Sequence, residues 1–589
     1  MASRLRPPRM VTPLGARRAI AASVLALCVS ATVVLAGCAP DQSASRGQSA
    51  AASGAGSAAQ TSSPVPQRVV TIVLRAEPPN LSDRLDRMGL GFPITVSLAY
   101  LDALQVPQPM LAERLPTQDD GSWTIAADGS MKTVYRLRPN MRWHDGEPLT
   151  ADDFSFAFQI YTDRDIPMTT RLPESLMSDV NAVDDRTIAI TWSQPYVDAN
   201  ALINSQLAPF PRHVLGDLYN QDKNAFLAST FWTSPDFVGS GPYRVTRWDH
   251  GVVIALAANP FFPLGKPKIE NIEVRWVTDS NTIVAGFFSG TIDFAEYTAI
   301  GAEQALILRD RWDQDHGGQI YAQSLFGTRY IEFQHRDVPD HQAALNDVRV
   351  RQALMYALDR KALADALQYG FGGVANTGYS ESDPFYPRVA QVLTTYPYDV
   401  RRADQRLGEA GWARGPDGLY RESSGKSLDV EVRVTGEREQ EAEIVADDWK
   451  KAGIDARSFV VPRALTTDVE YRVNFPGVAI SAQTDVVSAA NAITDQAPTP
   501  QNKYTGKNRG SYSNPELDRL YAQSLLTIDQ PAREKILLDI ERIFSADVAQ
   551  GMLYYQPRVG AARADVLGIK PPVRGSYLWN IWEWSLGPA

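Results

Sequence analysis

The sequence predicts a protein of mixed α-helix and β-strand that divides into at least two lobes. The chain has 589 residues, and hydrophobic cores stop growing beyond roughly 250–300 residues, so chains of this length split. Short β-branched runs and longer helical patterns are mixed throughout, which is typical of α/β or α+β lobes. Hydrophobic residues make up 44% and charged residues 21%, an ordinary globular composition with ample apolar surface to bury.

Local patterns place several elements along the chain. Residues 68–74 are β-branched and apolar, which predicts a buried first strand. Thr150 opens a helix, because an acidic residue three positions later completes a capping box and aromatic residues follow at the spacing of a core-facing stripe. Asp347 can cap a second helix. Either Ser513 or Asn514 can cap a third, the latter with proline at the first helical position.

The net charge argues against a nucleic-acid partner. The formal charge is −10 at pH 7, whereas nucleic-acid-binding proteins need a basic surface to displace counterions from phosphates. An acidic solute stays open as a ligand.

The beginning of the sequence has the pattern of an export signal. Five arginines between positions 4 and 18 precede an uncharged apolar run at residues 19–36. A basic region, an apolar region and small residues before a cleavage point predict a secretory signal peptide at residues 1–37. The alternative is a single membrane anchor, for which the apolar run is short and alanine-rich.

The residues around Cys38 predict a lipid anchor. Leu-Ala-Gly-Cys, ending at Cys38, resembles the lipobox of bacterial lipoproteins, in which the cysteine thiol is acylated and becomes the new N-terminus. The other cysteine, Cys28, would leave with the signal, so no internal disulfide is expected. Residues 38–67 are rich in Gly, Ser, Ala and Gln and predict a flexible tether. We therefore expect a body held at the extracytoplasmic face of the cell membrane.

Motifs of catalysis and metal binding are missing from the sequence. It contains no H-E-x-x-H, no G-x-S-x-G and no cysteine pair with zinc spacing. Residues 423–426 spell S-x-x-K, but in a Gly/Ser turn rather than at the start of a helix. No two of the 6 histidines stand four residues apart. We expect no enzyme, no cofactor and no dedicated metal site, although binding of a nickel chelate stays open.

Several segments in a fixed order resemble the family 5 extracellular solute-binding proteins, which include oligopeptide, dipeptide and nickel receptors. Each segment is weak alone, and the order over several hundred residues carries the resemblance. The segments are residues 111–114, 135–153, 239–243, 259–260, 265–267, 289–293, 347–354, 357–360, 409–412 and 512–518.

The resemblance implies a fold like that of periplasmic binding proteins of type II, cluster C. It has two α/β lobes joined by crossing segments, with an extra subdomain in the first. On this basis lobe one comprises residues 68–325 and 551–589, with the subdomain at about 101–236. Lobe two comprises residues 326–550.

The resemblance also implies a function. Such a protein is the substrate-binding lipoprotein of an ABC importer, here for an oligopeptide or dipeptide, and acts as a monomer with a membrane permease and ATPase. Ligand that touches both lobes stabilises their closed arrangement. Two alternatives stay open: the same receptor for an oligosaccharide or other non-peptide solute, and a signalling lipoprotein.

In lobe two, peptide-binding relatives hold the ligand's α-amino group with an aspartate. The matching segment here is residues 478–487, which lacks their aromatic residues and Asp-Pro pairs. Asp485 is the best candidate for that role, with Gln483 beside it, although a cap or loop carboxylate is an equal interpretation of Asp485.

In lobe one, the resemblance brings Glu296, Tyr297 and Arg87 to the cleft. Tyr297 would offer an apolar wall and a hydroxyl. Arg87 could pair with a ligand carboxylate, or be an exposed loop arginine.

Overall fold

The computed structural model describes residues 68–82, 91–168, 170–203, 205–436 and 438–588, and the backbone alone of residues 324–326. The expected signal peptide, Cys38, the tether and Arg87 lie outside the described residues. Within the described part, no helix is long and apolar enough to cross a membrane.

Up to the first crossing strand, the chain forms twelve described strands and five α-helices. The strands are β1 (Val70–Leu74), β2 (Ala99–Leu101), β3 (Pro107–Pro109), β4 (Trp123–Ile125), β5 (Met131–Arg136), β6 (Met177–Asp184), β7 (Thr187–Trp192), β8 (Tyr243–Asp249), β9 (Val253–Ala258), β10 (Asn271–Trp276), β11 (Phe294–Ala295) and β12 (Gly318–Phe333). The helices are α1 (Ala151–Thr162), α2 (Arg212–Gln221), α3 (Lys223–Leu227), α4 (Ser280–Ser289) and α5 (Ala302–Asp315).

The rest of the chain begins with helices and contains a second long strand that crosses between the two halves of the molecule. The helices are α6 (Val348–Tyr356), α7 (Arg360–Gln368), α8 (Tyr386–Val389), α9 (Val400–Glu409), α10 (Glu439–Lys451), α11 (Val469–Val473), α12 (Pro515–Leu526) and α13 (Gln530–Ala546). The strands are β13 (Ala413–Arg414), β14 (Tyr420–Arg421), β15 (Asp429–Thr435), β16 (Asp455–Val461), β17 (Val478–Gln483), β18 (Gly551–Arg563), β19 (Val566–Leu567) and β20 (Ser585–Leu586).

One ten-stranded sheet runs through the molecule in the order β16-β15-β17-β12-β18-β11-β1-β10-β9-β8. Its two long central strands, β12 and β18, pair antiparallel, and their register shifts between Gln323 and Gly327. β1 lies between two parallel neighbours, β10 and β11. The sheet is therefore mixed, with the crossing pair at its centre.

Four hydrophobic cores lie on this frame and fall into two groups. Two cores draw their buried residues from positions 70–321 and 561–584. The other two draw theirs from positions 330–555. This separation supports the expected division into lobe one and lobe two, whose boundaries remain a prediction.

A four-stranded sheet in the order β4-β5-β7-β6 forms the centre of the extra subdomain, and α1 packs beside it. The capping box at Thr150 is confirmed, since its partner Asp153 is at the third helical position. Phe154 and Tyr161 are buried, as expected of a core stripe. The caps by Asp347 and Asn514 are also confirmed, and Asn514 rather than Ser513 caps α12.

A glycine turn joins the subdomain to the main sheet of lobe one. The backbone N–H of Gly239 donates to Nδ1 of His144 at 3.1 Å, and Nε2 of His144 donates to the Gly241 carbonyl at 3.0 Å. Burial lowers the pKa of His144 to about 4. The ring is therefore neutral, so one of its nitrogens can accept a hydrogen bond while the other donates one. A β-carbon on Gly239 would lie 2.0 Å from the Ile94 carbonyl oxygen, so only glycine fits.

We expect Gly239→Ala to lower the stability of the protein by about 2 kcal/mol, because the added methyl group overpacks a buried site. The matched control is Gly408→Ala on α9, where a β-carbon meets nothing within 4 Å. That change should raise stability by about 0.5–1 kcal/mol, since alanine is the better helix former. Urea unfolding midpoints measure both. Equal midpoints for Gly239→Ala and the unsubstituted protein would contradict the close approach.

Candidate functional site

A cavity of about 980 Å³ lies in lobe one. The carboxyl ends of three parallel strands open into it: Arg75 follows β1, Thr278 follows β10, and Glu296 follows β11. Side chains beyond the carboxyl ends of adjacent parallel strands meet at one edge of a sheet, which is where α/β sheets place ligand sites. We therefore take this cavity as the candidate site.

The facing wall of the cavity comes from the subdomain and is rich in aromatic rings. The aromatic lining residues on this side are Trp143, Tyr161, Phe210, Phe231 and Phe237. Tyr161 is fixed by its hydroxyl, which donates to the Ala208 carbonyl at 2.9 Å. The rings of Phe231 and Phe237 lie 5.0 Å apart. The wall is thus a packed aromatic surface held by the subdomain core.

Glu296 brings a buried carboxyl group to the cavity. Its side chain accepts hydrogen bonds from the backbone N–H groups of Tyr297 and Tyr577, each at 3.2 Å. The Ser576 hydroxyl also donates to it. The carboxyl group is therefore held at the junction of β11 and the C-terminal segment that returns to lobe one.

Burial raises the pKa of Glu296 to about 7. Taking a carboxylate out of water disfavours its charged form. The hydrogen bonds from Ser576, Tyr297 and Tyr577 and the charge of Arg558 lower the pKa, but they offset only part of the cost of burial. The group therefore changes charge near neutral pH.

Tyr297 lines the cavity beside Glu296 and is held in a cation–π contact. The guanidinium carbon of Arg558 lies 3.6 Å from the centre of its ring. Arg558 comes from β18, far along the chain, so no local pattern could have predicted the contact. The structure thus brings together two of the five predicted binding residues, Glu296 and Tyr297.

The two predicted residues of lobe two do not line this cavity. Asp485 is 39% exposed in its side chain and accepts a hydrogen bond from Lys507 at 3.2 Å. Gln483 is buried and accepts a hydrogen bond from Asn491 at 2.7 Å. Their roles in binding stay predictions, and Arg87 lies outside the described residues.

Sequence reasoning missed the aromatic wall. Tyr161 was part of the stripe assigned to a core, and the stripe does pack there, but one edge of this ring also reaches the cavity. Phe231 and Phe237 belong to a short aromatic-rich stretch that precedes the glycine turn, which is the signal that could have pointed to them. Among the described residues, no group of three or more His, Cys, Asp or Glu side chains could hold a metal ion.

The raised pKa of Glu296 predicts a pH dependence of stability. In the unfolded chain the carboxyl group ionises near its ordinary pKa of 4.5, and in the folded protein near 7. Between these values the folded state binds more protons, so this contribution to stability is present below pH 4.5 and lost as pH rises through 7. We expect Glu296→Gln to lose less thermal stability than the unsubstituted protein between pH 5 and pH 8.

A matched variant exists in lobe two. Glu541 is buried against Thr377 and Ser488, and burial raises its pKa to about 7 as well. Glu541→Gln should reduce the pH dependence in the same direction, and the two effects should add because the sites share no partner. An unchanged pH dependence in Glu296→Gln, with a reduced one in Glu541→Gln, would contradict the titration assigned to Glu296.

Two curated relatives share sequence with the chain. Protein XP55 of Streptomyces lividans is 29% identical over 352 residues, which cover 59% of this chain and 58% of that protein. The oligopeptide-binding protein AppA of Bacillus subtilis is 25% identical over 468 residues, which cover 78% of this chain and 81% of that protein. The chain thus matches a little over half the length of the first relative.

Solved structures show the same fold at low identity. HbpA2 from Haemophilus parasuis superposes with a TM-score of 0.70 at 21% identity, over 88% of this chain and 100% of that one. NikZ from Campylobacter jejuni, in complex with Ni(L-His), superposes with a TM-score of 0.65 at 21% identity, over 88% of this chain and 100% of that one. AppA from Bacillus subtilis, in complex with a nonapeptide, superposes with a TM-score of 0.61 at 22% identity, over 89% of this chain and 100% of that one. These likenesses confirm the predicted two-lobe α/β fold.

The family follows from a match to its sequence model. The model described as bacterial extracellular solute-binding proteins, family 5 Middle, matches residues 106–504, well over half of the chain. This confirms the resemblance predicted from the ordered segments. The chain belongs to the family 5 bacterial extracellular solute-binding proteins.

Proposed function

We propose that this protein is the substrate-binding component of an ABC importer, which captures a solute between its lobes and delivers it to a membrane permease. The cavity of about 980 Å³ at the strand ends of lobe one carries the proposal. Its size matches the upper range of small-molecule sites, at roughly 300–1,000 Å³. Family membership supports the same function. Peptides are the first class of cargo, because AppA and several relatives are named for peptide binding.

The crossing strands provide a hinge. β12 and β18 run from one half of the sheet to the other. Bending at their register shift, between Gln323 and Gly327, would move one lobe against the other. The lobes also touch beside the hinge, where Arg574 lies 3.5 Å from Asp383 and Ile528 packs against the lobe-one core. A solute that contacts both lobes adds to these contacts and favours the closed arrangement.

Retained cargo tests the proposal directly. Native mass spectrometry of freshly purified protein should show a small molecule bound, because a closed cleft releases its cargo slowly. X-ray scattering should give a smaller radius of gyration for this protein than for the same sample unfolded, dialysed and refolded. The refolded sample is the control for shape without solute. Absence of any bound mass, together with identical scattering curves, would contradict a receptor.

A non-peptide cargo is the second candidate, and the position of Asp485 favours it. A buried ligand ammonium needs a carboxylate to pair with. Asp485 is half exposed and already pairs with Lys507. The segment therefore offers a weak partner for the α-amino group of a peptide.

We also propose that Cys38 carries a lipid anchor at the extracytoplasmic face of the membrane, supported by the basic, apolar and small-residue pattern before it. Cys38→Ser should move the protein from the membrane fraction to the soluble fraction, measured by fractionation of expressing cells. Cys28→Ser is the matched control and should stay with the membrane, because residue 28 lies in the proposed signal. Membrane retention of Cys38→Ser equal to that of Cys28→Ser would contradict acylation at Cys38.

A further inference from the structure

The lining of the lobe-one cavity is selective in its chemistry. Seven of the described lining residues are aromatic: Phe92, Trp143, Tyr161, Phe210, Phe231, Phe237 and Tyr297. Only two of the described lining residues carry a formal charge, Arg75 and Glu296. Arg75 is exposed, whereas Glu296 is 3% exposed. Glu296 is thus the one buried charge-bearing residue among the described lining residues.

Part of the cavity wall lacks backbone donors for a peptide. Extended peptides gain much of their affinity from hydrogen bonds to main-chain groups. Pro93, Pro209 and Pro211 all line the cavity, and proline has no backbone N–H to donate. The N–H groups of Tyr297 and Tyr577 already donate to Glu296. Flat apolar rings suit this wall better than a zwitterionic main chain, since rings gain from stacking and need no donors.

We infer that the lobe-one cavity takes an aromatic solute that carries one basic amine, with its rings among the subdomain aromatics and its ammonium group paired with Glu296. This inference rests on the proposed receptor function and specifies the class of cargo. Aromatic faces also attract an ammonium group, which adds to the pairing.

Binding of such a cation is coupled to a proton. Near neutral pH Glu296 is partly protonated, because burial raises its pKa to about 7. Pairing with an ammonium group favours the carboxylate, so the bound carboxyl group loses its proton to solvent while the ligand keeps its charge. The groups that face Glu296 are Arg558 from β18, and Tyr297, Ser576 and Tyr577. Arg558 is the only cation among them, and its charge is the smallest of the influences on Glu296.

Calorimetry with an indole series tests the inference. Tryptamine, neutral 3-methylindole, indole-3-propionate and trialanine are the probes, titrated into full-length protein stripped of retained solute. We expect tryptamine to bind at least tenfold more tightly than indole-3-propionate or trialanine. At pH 6.5, titrations of tryptamine in phosphate and in Tris should differ in heat by the ionisation of the buffer, which reports release of a proton.

Two substitutions make the test specific. Glu296→Gln should weaken the binding of tryptamine at least tenfold and abolish the proton release. It should leave the affinity for 3-methylindole unchanged. Glu541→Gln is the matched control, since it neutralises an equally buried carboxyl group in lobe two with its pKa also near 7, and it should bind tryptamine as before. If Glu296→Gln does not fold, the order of the four probes and the proton release of the unsubstituted protein decide the question.

The outcomes separate this inference from the receptor function. Tight binding of trialanine with no binding of tryptamine would contradict an aromatic amine as the class of cargo and would support a receptor for peptides. Tryptamine binding that is unchanged in Glu296→Gln, or that releases no proton, would overturn the role of Glu296. Failure of all four probes would overturn the inference alone if native mass spectrometry still finds a retained solute. If no solute is retained and the scattering curves are also identical, the receptor function fails too.

Discussion

The pairing of β12 with β18 is the constraint on which the rest of the structure depends. β12 runs through 16 residues and β18 through 13. In the sheet, β17 attaches to β12 and β11 attaches to β18, so the halves of the sheet meet at this pair. Backbone groups in the middle of a sheet must be hydrogen-bonded, and the pair meets that need on both sides of its register shift. A hinge can therefore exist at the centre of a continuous sheet.

Each lobe holds a buried carboxyl group at a similar cost, but only one faces the cavity. Burial raises the pKa of both Glu296 and Glu541 to about 7. Glu541 is satisfied by Thr377 and Ser488 and belongs to the interior of lobe two. Glu296 is one of the described residues that line the cavity, beside Tyr297. The same desolvation cost therefore applies to an interior group in one lobe and to a cavity-lining group in the other.

Sequence patterns predicted the parts of the fold that depend on local chemistry. The first strand and the caps at Thr150, Asp347 and Asn514 are local, because a strand needs a β-branched run and a cap needs one side chain near free backbone N–H groups. Glu296 was predicted at the cleft through the resemblance, and it lines the cavity.

The other features of the fold and of the candidate site depend on contacts between distant segments. The pairing of Asp485 with Lys507 joins residues 22 positions apart, and Arg558 reaches Tyr297 from another strand. The proposed hinge lies inside β12, where strand residues continue without a break, so no loop signal marked it. Aromatic residues from several segments form the cavity wall, and each one alone reads as core. These features arise from tertiary packing between distant segments, which a sequence pattern within one element cannot predict.

Because the cavity lies in lobe one, the affinity for a solute and the closing of the lobes depend on different contacts. Its described lining residues all lie between positions 74 and 298 or at positions 576 and 578, on the lobe-one side of the hinge. A solute wholly inside this cavity would bind the open and closed arrangements equally well and shift nothing, however tightly it bound. To close the lobes, part of the solute must extend beyond the aromatic wall and contact lobe two. In the proposed receptor, the buried end of the solute then sets affinity, and its exposed end sets the closed population that a permease would recognise.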